Sequence, residues 1–308
     1  MTAITAERLT KRYGQFAAVD DVSFEVPRGQ LLAVLGPNGA GKTTTLEMLE
    51  GFTVPSSGTV RVLGADPHRA PRAWRARIGL VLQSTALDGE FTVADTLRLF
   101  ARHYPAPRRV REVLDLVDLK DDAQTRVGVL SGGQRRRVDI AMAIIGRPEV
   151  LFLDEPTTGL DPEARRHTWA AVGNLTAAGA TVLLTTHYID EADHLADRVI
   201  VLSGGRVTAD TTPRELRARG GSPVIRYQLP EGIAADNMPA RLNQWLNADD
   251  RTLVIRGQDL TGPLRELTDW ADLNRLGLAG LEVGPPSLED AYLAVIGEPV
   301  TARAGDHA

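Results

Sequence analysis

The chain has 308 residues with 43% hydrophobic and 24% charged content, ordinary values for globular protein and enough for one large domain plus a smaller one. It contains no Cys, which excludes disulfides, thiolate catalysis and cysteine-ligated zinc. A net charge of −5 argues against a nucleic-acid surface. No apolar stretch approaches the roughly 20 residues that cross a bilayer, and the start Met1-Thr-Ala-Ile-Thr-Ala-Glu-Arg predicts no signal peptide.

Ile4 to Val26 alternates polar and apolar residues around Gly14 and predicts short antiparallel strands. Tyr13 suits either half-buried packing or a flat surface on which a ring could stack. Leu31 to Leu35 is continuously apolar, as a strand buried on both faces of a parallel sheet requires. There follow Gly36, Pro37, Asn38, Gly39, Ala40, Gly41, Lys42 and Thr43, matching the phosphate-loop pattern G-x-x-x-x-G-K-[ST]. Leu46, Met48 and Leu49 predict a helix that stops near Gly51 and Pro55. A glycine loop between strand and helix leaves backbone N–H groups free to converge on phosphate oxygens. Lys42 adds a positive charge there, and the Thr43 hydroxyl suits magnesium.

Thr59 to Val62 and Arg77 to Leu82 are further predicted strands, the second delivering Gln83, a surface residue or a donor of its amide oxygen to a cation or its water. From Thr92 to Asp122 the period turns helical. Val93, Leu97, Phe100 and Ala101 share one face behind Thr92 as N-cap, and Val110, Val113, Leu114 and Val117 share another. This helical insert is the part expected to face a partner. Leu130-Ser131-Gly132-Gly133-Gln134 then opens a helix running towards Gly146 and Pro148. Free N–H groups, the helix dipole and a capping hydroxyl make this start a candidate anion site. Arg135, Arg136 and Arg137 predict a solvated helix face.

Val150 to Leu153 is a second fully apolar strand, ending in Asp154 and Glu155. Paired acids at the end of a buried strand are costly unless they meet a cation or do chemistry. Asp154 suits magnesium, and Glu155 suits the activation of water. Asp161 and Pro162 occupy the N-cap and first position of a helix. The strand Thr181 to Thr185 leads to His187, where open α/β sheets present ligands. Fully buried strands alternating with helices make the fold class α/β.

From Gly221 onward the chain carries 7 Arg, no Lys and 13 acids, a net −6, so a compositional boundary is expected at Gly220-Gly221-Ser222-Pro223. There Val224 to Leu229, Thr252 to Ile255 and Leu278 to Val283 predict strands, and Ala240 to Leu246, Leu260 to Trp270 and Leu288 to Ile296 predict helices.

Together these motifs resemble the ATP-binding subunit of ABC transporters. The resemblance spans Tyr13 to His187, and Leu130 to Gln134, matching the LSGGQ signature, is its specific element, because phosphate loops occur in many unrelated enzymes. It implies a P-loop ABC-type domain at 1–220, with a mixed sheet, an antiparallel β subdomain and a helical subdomain at about 88–147. By the same resemblance Tyr13 stacks on adenine, Gly36 to Thr43 with Thr44 form Walker A, and Gln83 senses magnesium and the membrane partner. Asp154 and Glu155 are the Walker B pair, Asp161 the D-loop acid and His187 the switch histidine. The implied cofactors are ATP and Mg2+, with Lys42, Glu155 and His187 catalytic and Thr43, Gln83 and Asp154 at the metal.

Gly284-Pro285-Pro286-Ser287-Leu288-Glu289-Asp290-Ala291-Tyr292-Leu293 is similar to the C-terminal motif of bacterial exporter ATPases of the daunorubicin/doxorubicin-resistance type. That implies a small α+β assembly or regulatory domain at 221–300, followed by a flexible tail at 301–308. The implied function is to power export of drugs, antibiotics or other hydrophobic compounds through a separate permease, as a head-to-tail homodimer peripheral to the cytoplasmic face of the membrane. Nucleic acid is not an expected partner. An importer ATPase shares the same core and is the nearest alternative, followed by a soluble ABC ATPase unlinked to transport. The single phosphate loop argues against two-cassette translation factors. The short Thr44 to Leu130 interval, without sustained heptads, argues against coiled-coil repair ATPases. No Asn-Lys-x-Asp guanine reader surrounds Lys11, Lys42 or Lys120.

Overall fold

The computed structural model describes residues 1–82, 88–230, 238–247 and 251–297. Gln83 and the 301–308 tail lie outside the described residues. The described chain forms two compact units, Met1–Pro213 and the part from Arg214 onward.

The first unit is built on a six-stranded sheet. Its parallel strands are β3 (Leu31–Leu35), β5 (Ile78–Val81), β6 (Val150–Asp154), β7 (Thr181–Thr186) and β8 (Arg198–Ser203), and β9 (Arg206–Thr211) closes one edge antiparallel. The order is β5-β6-β7-β3-β8-β9. The central strands β3, β6 and β7 are buried along their whole length, which is why their sequences are continuously apolar or Thr-rich rather than alternating.

A second sheet, β2-β1-β4, is antiparallel and joins β1 (Thr2–Tyr13), β2 (Phe16–Pro27) and β4 (Ser57–Val62). The expected short strands are here two of 12 residues each, kept continuous by register shifts between Ala6 and Leu9 and between Leu9 and Lys11. Bulges absorb the breaks in alternation that made the segment look fragmented, and Arg8 lies there with φ 49°. One apolar core joins Ile4, Leu9, Val22 and Phe24 of this sheet to Leu32, Phe152 and Ile200 of the central sheet. Leu46 and Leu49 of α1 (Lys42–Glu50) complete it.

The short α2 (Arg72–Arg75) precedes β5. The helical insert consists of α3 (Val93–Ala101), α4 (Val110–Leu116) and α5 (Gly132–Ile144). Thr92 caps α3, accepting from Asp95 N at 3.1 Å. Val93 and Leu97 are buried, but Phe100 departs from the predicted face and is exposed, because it sits in the last turn above a cavity rather than against the helix neighbours. Further along come α6 (Pro162–Ala177) and α7 (Ile189–Leu195).

Packing divides the chain at the first residue of α8 (Pro213–Arg219), and composition divides it just after this helix. The second unit holds an antiparallel sheet of β10 (Val224–Gln228), β11 (Thr252–Arg256) and β12 (Glu282–Gly284), ordered β11-β10-β12, with α9 (Ala240–Asn243), α10 (Thr261–Leu273) and α11 (Leu288–Ile296). Ile225, Tyr227, Leu253 and Ile255 share a core with Leu267 and Trp270 of α10. The alternate residues Arg226 and Arg256 both donate to the buried Asp290 of α11. Ser287 and Asp290 also form a capping box. The Pro-Ser-Leu-Glu-Asp motif thus has a structural account: its serine starts a helix, and its last acid binds that helix to two strands.

Candidate functional site

The site is assembled where three neighbouring parallel strands end. β3 runs into the phosphate loop, β6 ends on Asp154, and β7 ends one residue before His187. The carboxyl edge of such a sheet is where ligands are received. Gly41 bridges loop and α1 with φ 98°, and a side chain there would run into the Ala18 carbonyl, so glycine alone fits. In the loop Pro37, Asn38 and Gly39 are exposed, while Gly36 and Ala40 are buried.

Lys42 is buried and its ammonium donates to the carbonyls of Gly36 at 2.8 Å and Pro37 at 3.2 Å. Burial lowers its pKa, opposed by the negative charges of Glu155 and Asp154. Glu155 Oε1 lies 3.7 Å from Lys42 Nζ, and Glu155 Oε2 lies 3.2 Å from His187 Nδ1. The Thr158 hydroxyl donates to Glu155 Oε2 at 3.0 Å. The backbone of Glu155 is left-handed, φ 45°, an uncommon conformation for a residue with a Cβ.

The exposed Thr43 donates to Asp154 Oδ2 at 3.4 Å, and the Thr185 hydroxyl donates to Asp154 Oδ1. Burial, and next to it Glu155, raises the Asp154 pKa against the pull of these hydroxyls and Lys42. A cation beside Asp154 would offset that cost. Thr43 and Asp154 supply two adjacent oxygens, which fits magnesium, an ion that keeps waters and substrate phosphates as its remaining ligands. Among the described residues no group of three His, Cys, Asp or Glu could hold a metal by itself.

Lys42, Thr43, Asp154, Glu155 and His187 are thus brought together. Ser131 to Gln134 are not joined to them by any polar contact among the described residues. Ser131 caps α5, accepting from Gln134 N at 3.2 Å, while the Gln134 side chain accepts from Ser131 N at 2.9 Å and donates to Asp122 at 3.1 Å. Ser131 and Gly132 are exposed; Gly133 is buried, and a Cβ on it would collide with Ala164 of α6. Asp161 caps α6, accepting from Glu163 N at 2.9 Å and Ala164 N at 2.8 Å. Tyr13 ends β1 with 51% of its surface exposed and Lys11 Nζ 5.1 Å from its ring centroid, which leaves it open for stacking rather than packed. Thr44 lies partly buried on α1.

Two groups were not singled out by sequence. Thr185 had no signal beyond its place at the end of a buried strand. Arg136 was expected on a solvated face and is instead buried, 8% exposed. It lies three residues after Gly133 and four before Ile140, both buried, on a face that hydrophobic periodicity does not assign to an arginine. Arg135 alone of the three arginines is well exposed.

A cavity of about 510 Å³ opens between the end of α1, β5 and the helical insert. Exposed Phe52, Leu82 and Phe100 line it, with Glu50 at its wall. Glu50 is 7% exposed and its Oε1 has no hydrogen-bond partner among the described residues. Burial, reinforced by the charges of Asp154 and Glu47, raises its pKa to about 8.

A family model described as "ABC transporter" matches residues 19–158, and one described as "ABC transporter domain-containing protein-like, C-terminal domain" matches residues 223–287. The chain is 40% identical to Nod factor export ATP-binding protein I of Ralstonia nicotianae, over 96% of this chain and 94% of that one. It is 41% identical to daunorubicin resistance ATP-binding protein DrrA3 of Streptomyces coeruleorubidus, over 96% of each. Among solved structures, a bacterial ABC transporter cassette described as dimeric superposes with a TM-score of 0.60 at 26% identity, covering 68% of this chain and 98% of that one.

Proposed function

The chain belongs to the ATP-binding subunits of ABC transporters, and from that premise we propose that it hydrolyses ATP as a head-to-tail homodimer to drive export through a separate permease. The observation that carries the catalytic part is the convergence of Lys42, Thr43, Asp154, Glu155 and His187 at the ends of β3, β6 and β7. The names of the relatives, a Nod factor export subunit and a daunorubicin-resistance subunit, support export, of drugs, antibiotics or other hydrophobic compounds, over import.

In this reading ATP takes the place of the Gly36 and Pro37 carbonyls as the partner of Lys42. Burial strengthens that contact, since little solvent screens the charge. The loop N–H groups and the start of α1 bind the β- and γ-phosphates. Thr43 and Asp154 would hold magnesium, which neutralises charge on the transferring phosphoryl. Glu155 polarises the attacking water as general base, held by Thr158 and the left-handed turn. His187 lies beside it to meet the γ-phosphate. Tyr13 stacks on adenine, Gln83 senses magnesium and the membrane partner, and Asp161 contributes to nucleotide binding.

Ser131, Gly132, Gly133 and Gln134 act on the nucleotide of the second copy. The open N-terminus of α5 and the lack of polar contact with its own phosphate loop support this assignment. The apolar cavity beside Glu50 receives the permease, which places the subunit on the cytoplasmic face of the membrane. No described helix is long and apolar enough to cross it. The unit that contains α11 serves assembly or regulation.

Glu155→Gln tests the core of this reading. The variant is expected to bind ATP, to lose nearly all turnover, and to accumulate as an ATP-bound dimer in light scattering. Turnover at the wild-type rate would remove Glu155 from the role of base.

A further inference from the structure

The guanidinium of Arg136 donates to four main-chain oxygens. Nε donates to Pro156 O at 2.8 Å, Nη2 donates to Asp154 O at 2.9 Å and Glu155 O at 3.3 Å, and Nη1 donates to Leu82 O. Asp139 Oδ2, one turn further along α5, lies 3.7 Å from Nη1 and balances the charge. Three of the four carbonyls belong to consecutive residues, Asp154, Glu155 and Pro156. They lie at the end of β6, where the ladder to β7 gives out: Asp154 is the last paired residue, Glu155 keeps its N–H bonds to Thr185, and the Glu155 carbonyl also accepts from Thr158 N at 3.3 Å.

Carbonyls that leave a sheet inside a protein need donors, or they carry an unmet desolvation cost. Arg is suited to this because it offers five N–H groups in a rigid fork and no acceptor. The middle residue of the three, Glu155, has the left-handed backbone that aims its carboxylate at Lys42 and His187. A single φ in that region is held only where the surroundings over-determine it. The fourth carbonyl, Leu82, directly precedes Gln83 in the sequence and ties the end of β5 to the same guanidinium.

We infer that Arg136 is a positioning residue for hydrolysis: from the helix that begins at Ser131 it fixes the Asp154–Pro156 main chain, and through it the aim of the Glu155 carboxylate. It acts through the main-chain carbonyls it holds. The inference rests on the reading of Glu155 as the base, and its test separates the two.

Arg136→Lys keeps the charge but cannot reach all four carbonyls, and Arg136→Gln keeps hydrogen-bonding capacity without charge. Each is compared with wild type in the full chain for melting temperature, affinity for a non-hydrolysable ATP analogue, and steady-state ATPase kinetics. The expected result is a fall in kcat of about 10- to 100-fold, as a small misplacement of a reacting group produces, with KM and analogue affinity little changed. The Gln variant keeps the test open if the Lys variant does not fold. The second readout is a cycle with Glu155→Gln. If Arg136 acts through Glu155, then Arg136→Lys has no further effect on the residual turnover of Glu155→Gln. Wild-type kcat in a folded Arg136 variant, a rise in KM that accounts for the whole loss, or a full additional loss in the Glu155→Gln background would each overturn the inference. Failure of the wild-type chain to hydrolyse ATP would instead refute the functional reading.

Discussion

At the scale of single residues, burial sets the chemistry. Lys42 and Glu50 at the two ends of α1 and Asp154 at the end of β6 all have pKa values shifted by desolvation first. The charges of Lys42 and Asp154 partly offset one another. Glu50 Oε1 has no hydrogen-bond partner among the described residues, and the titration of this carboxyl carries a sign that can be measured. Its folded pKa of about 8 lies above the value of 4.5 for a free carboxyl, so between those pH values the native chain holds a proton that the unfolded chain has released. Stability is therefore fully present below pH 4.5 and falls as pH rises through 8, by about 4–5 kcal/mol at most. Glu50→Gln, of the same shape and without the charge, should be no more stable than wild type at pH 4.5 and clearly more stable at pH 8.5. Urea denaturation at both pH values checks this, and a constant difference between the two proteins would show that Glu50 is already ionised at the lower pH.

At the scale of elements, patterns visible in sequence found their segments wherever burial is uniform along the segment. β3, α1 and the start of α5 lie where apolar runs, glycines and the Ser131 cap put them. The deviations have local causes: bulges in β1, the position of Phe100 in the last turn of α3, and a polar side chain, Arg136, on the buried face of α5. Helical periodicity assigns a face by hydrophobicity, so an arginine that buries itself against carbonyls is invisible to it. The same is true of Asp290 in α11. Its carboxylate is buried, which alone would raise its pKa, yet Arg226, Arg256 and Ser287 together hold it well below the usual range. That stability is present above the pKa of the unfolded carboxyl and is lost only as pH falls through the depressed folded value. Asp290→Ala leaves two arginines without their common partner and α11 without half its capping box. A loss of about 2–4 kcal/mol is expected for the second unit in chemical denaturation. A loss below about 0.5 kcal/mol, as for an ordinary surface substitution, would mean that the cluster is solvated.

At the scale of the whole molecule, the proposed function divides the chain into two half-sites, whose residues make no polar contact with each other among the described residues. One is the phosphate loop with Asp154, Glu155 and His187; the other is the open start of α5 at Ser131. A composite site formed between two copies predicts complementation. Lys42→Ala disables the first half and Ser131→Arg the second, and neither variant should turn over ATP alone. Mixed, they form dimers with one intact site, and ATPase activity should reappear in proportion to the mixed species. If the mixture stays as inactive as its components, each chain works by itself or needs both sites intact. The amino-acid sequence determined by itself the phosphate loop, the signature, the Walker B acids and the strands and helices that carry them, because each is a local pattern whose meaning depends on residues adjacent in the chain. Only the tertiary structure decided that Lys42, Glu155 and His187 meet. It alone placed Thr185 on Asp154, turned Glu155 into a left-handed conformation, and set Arg136 beneath the end of β6. Those facts depend on which strand lies next to which and on the partners of backbone carbonyls that have left the sheet. A sequence pattern records no such neighbours, since the residues that supply them are separated by dozens of positions and are brought together only by packing.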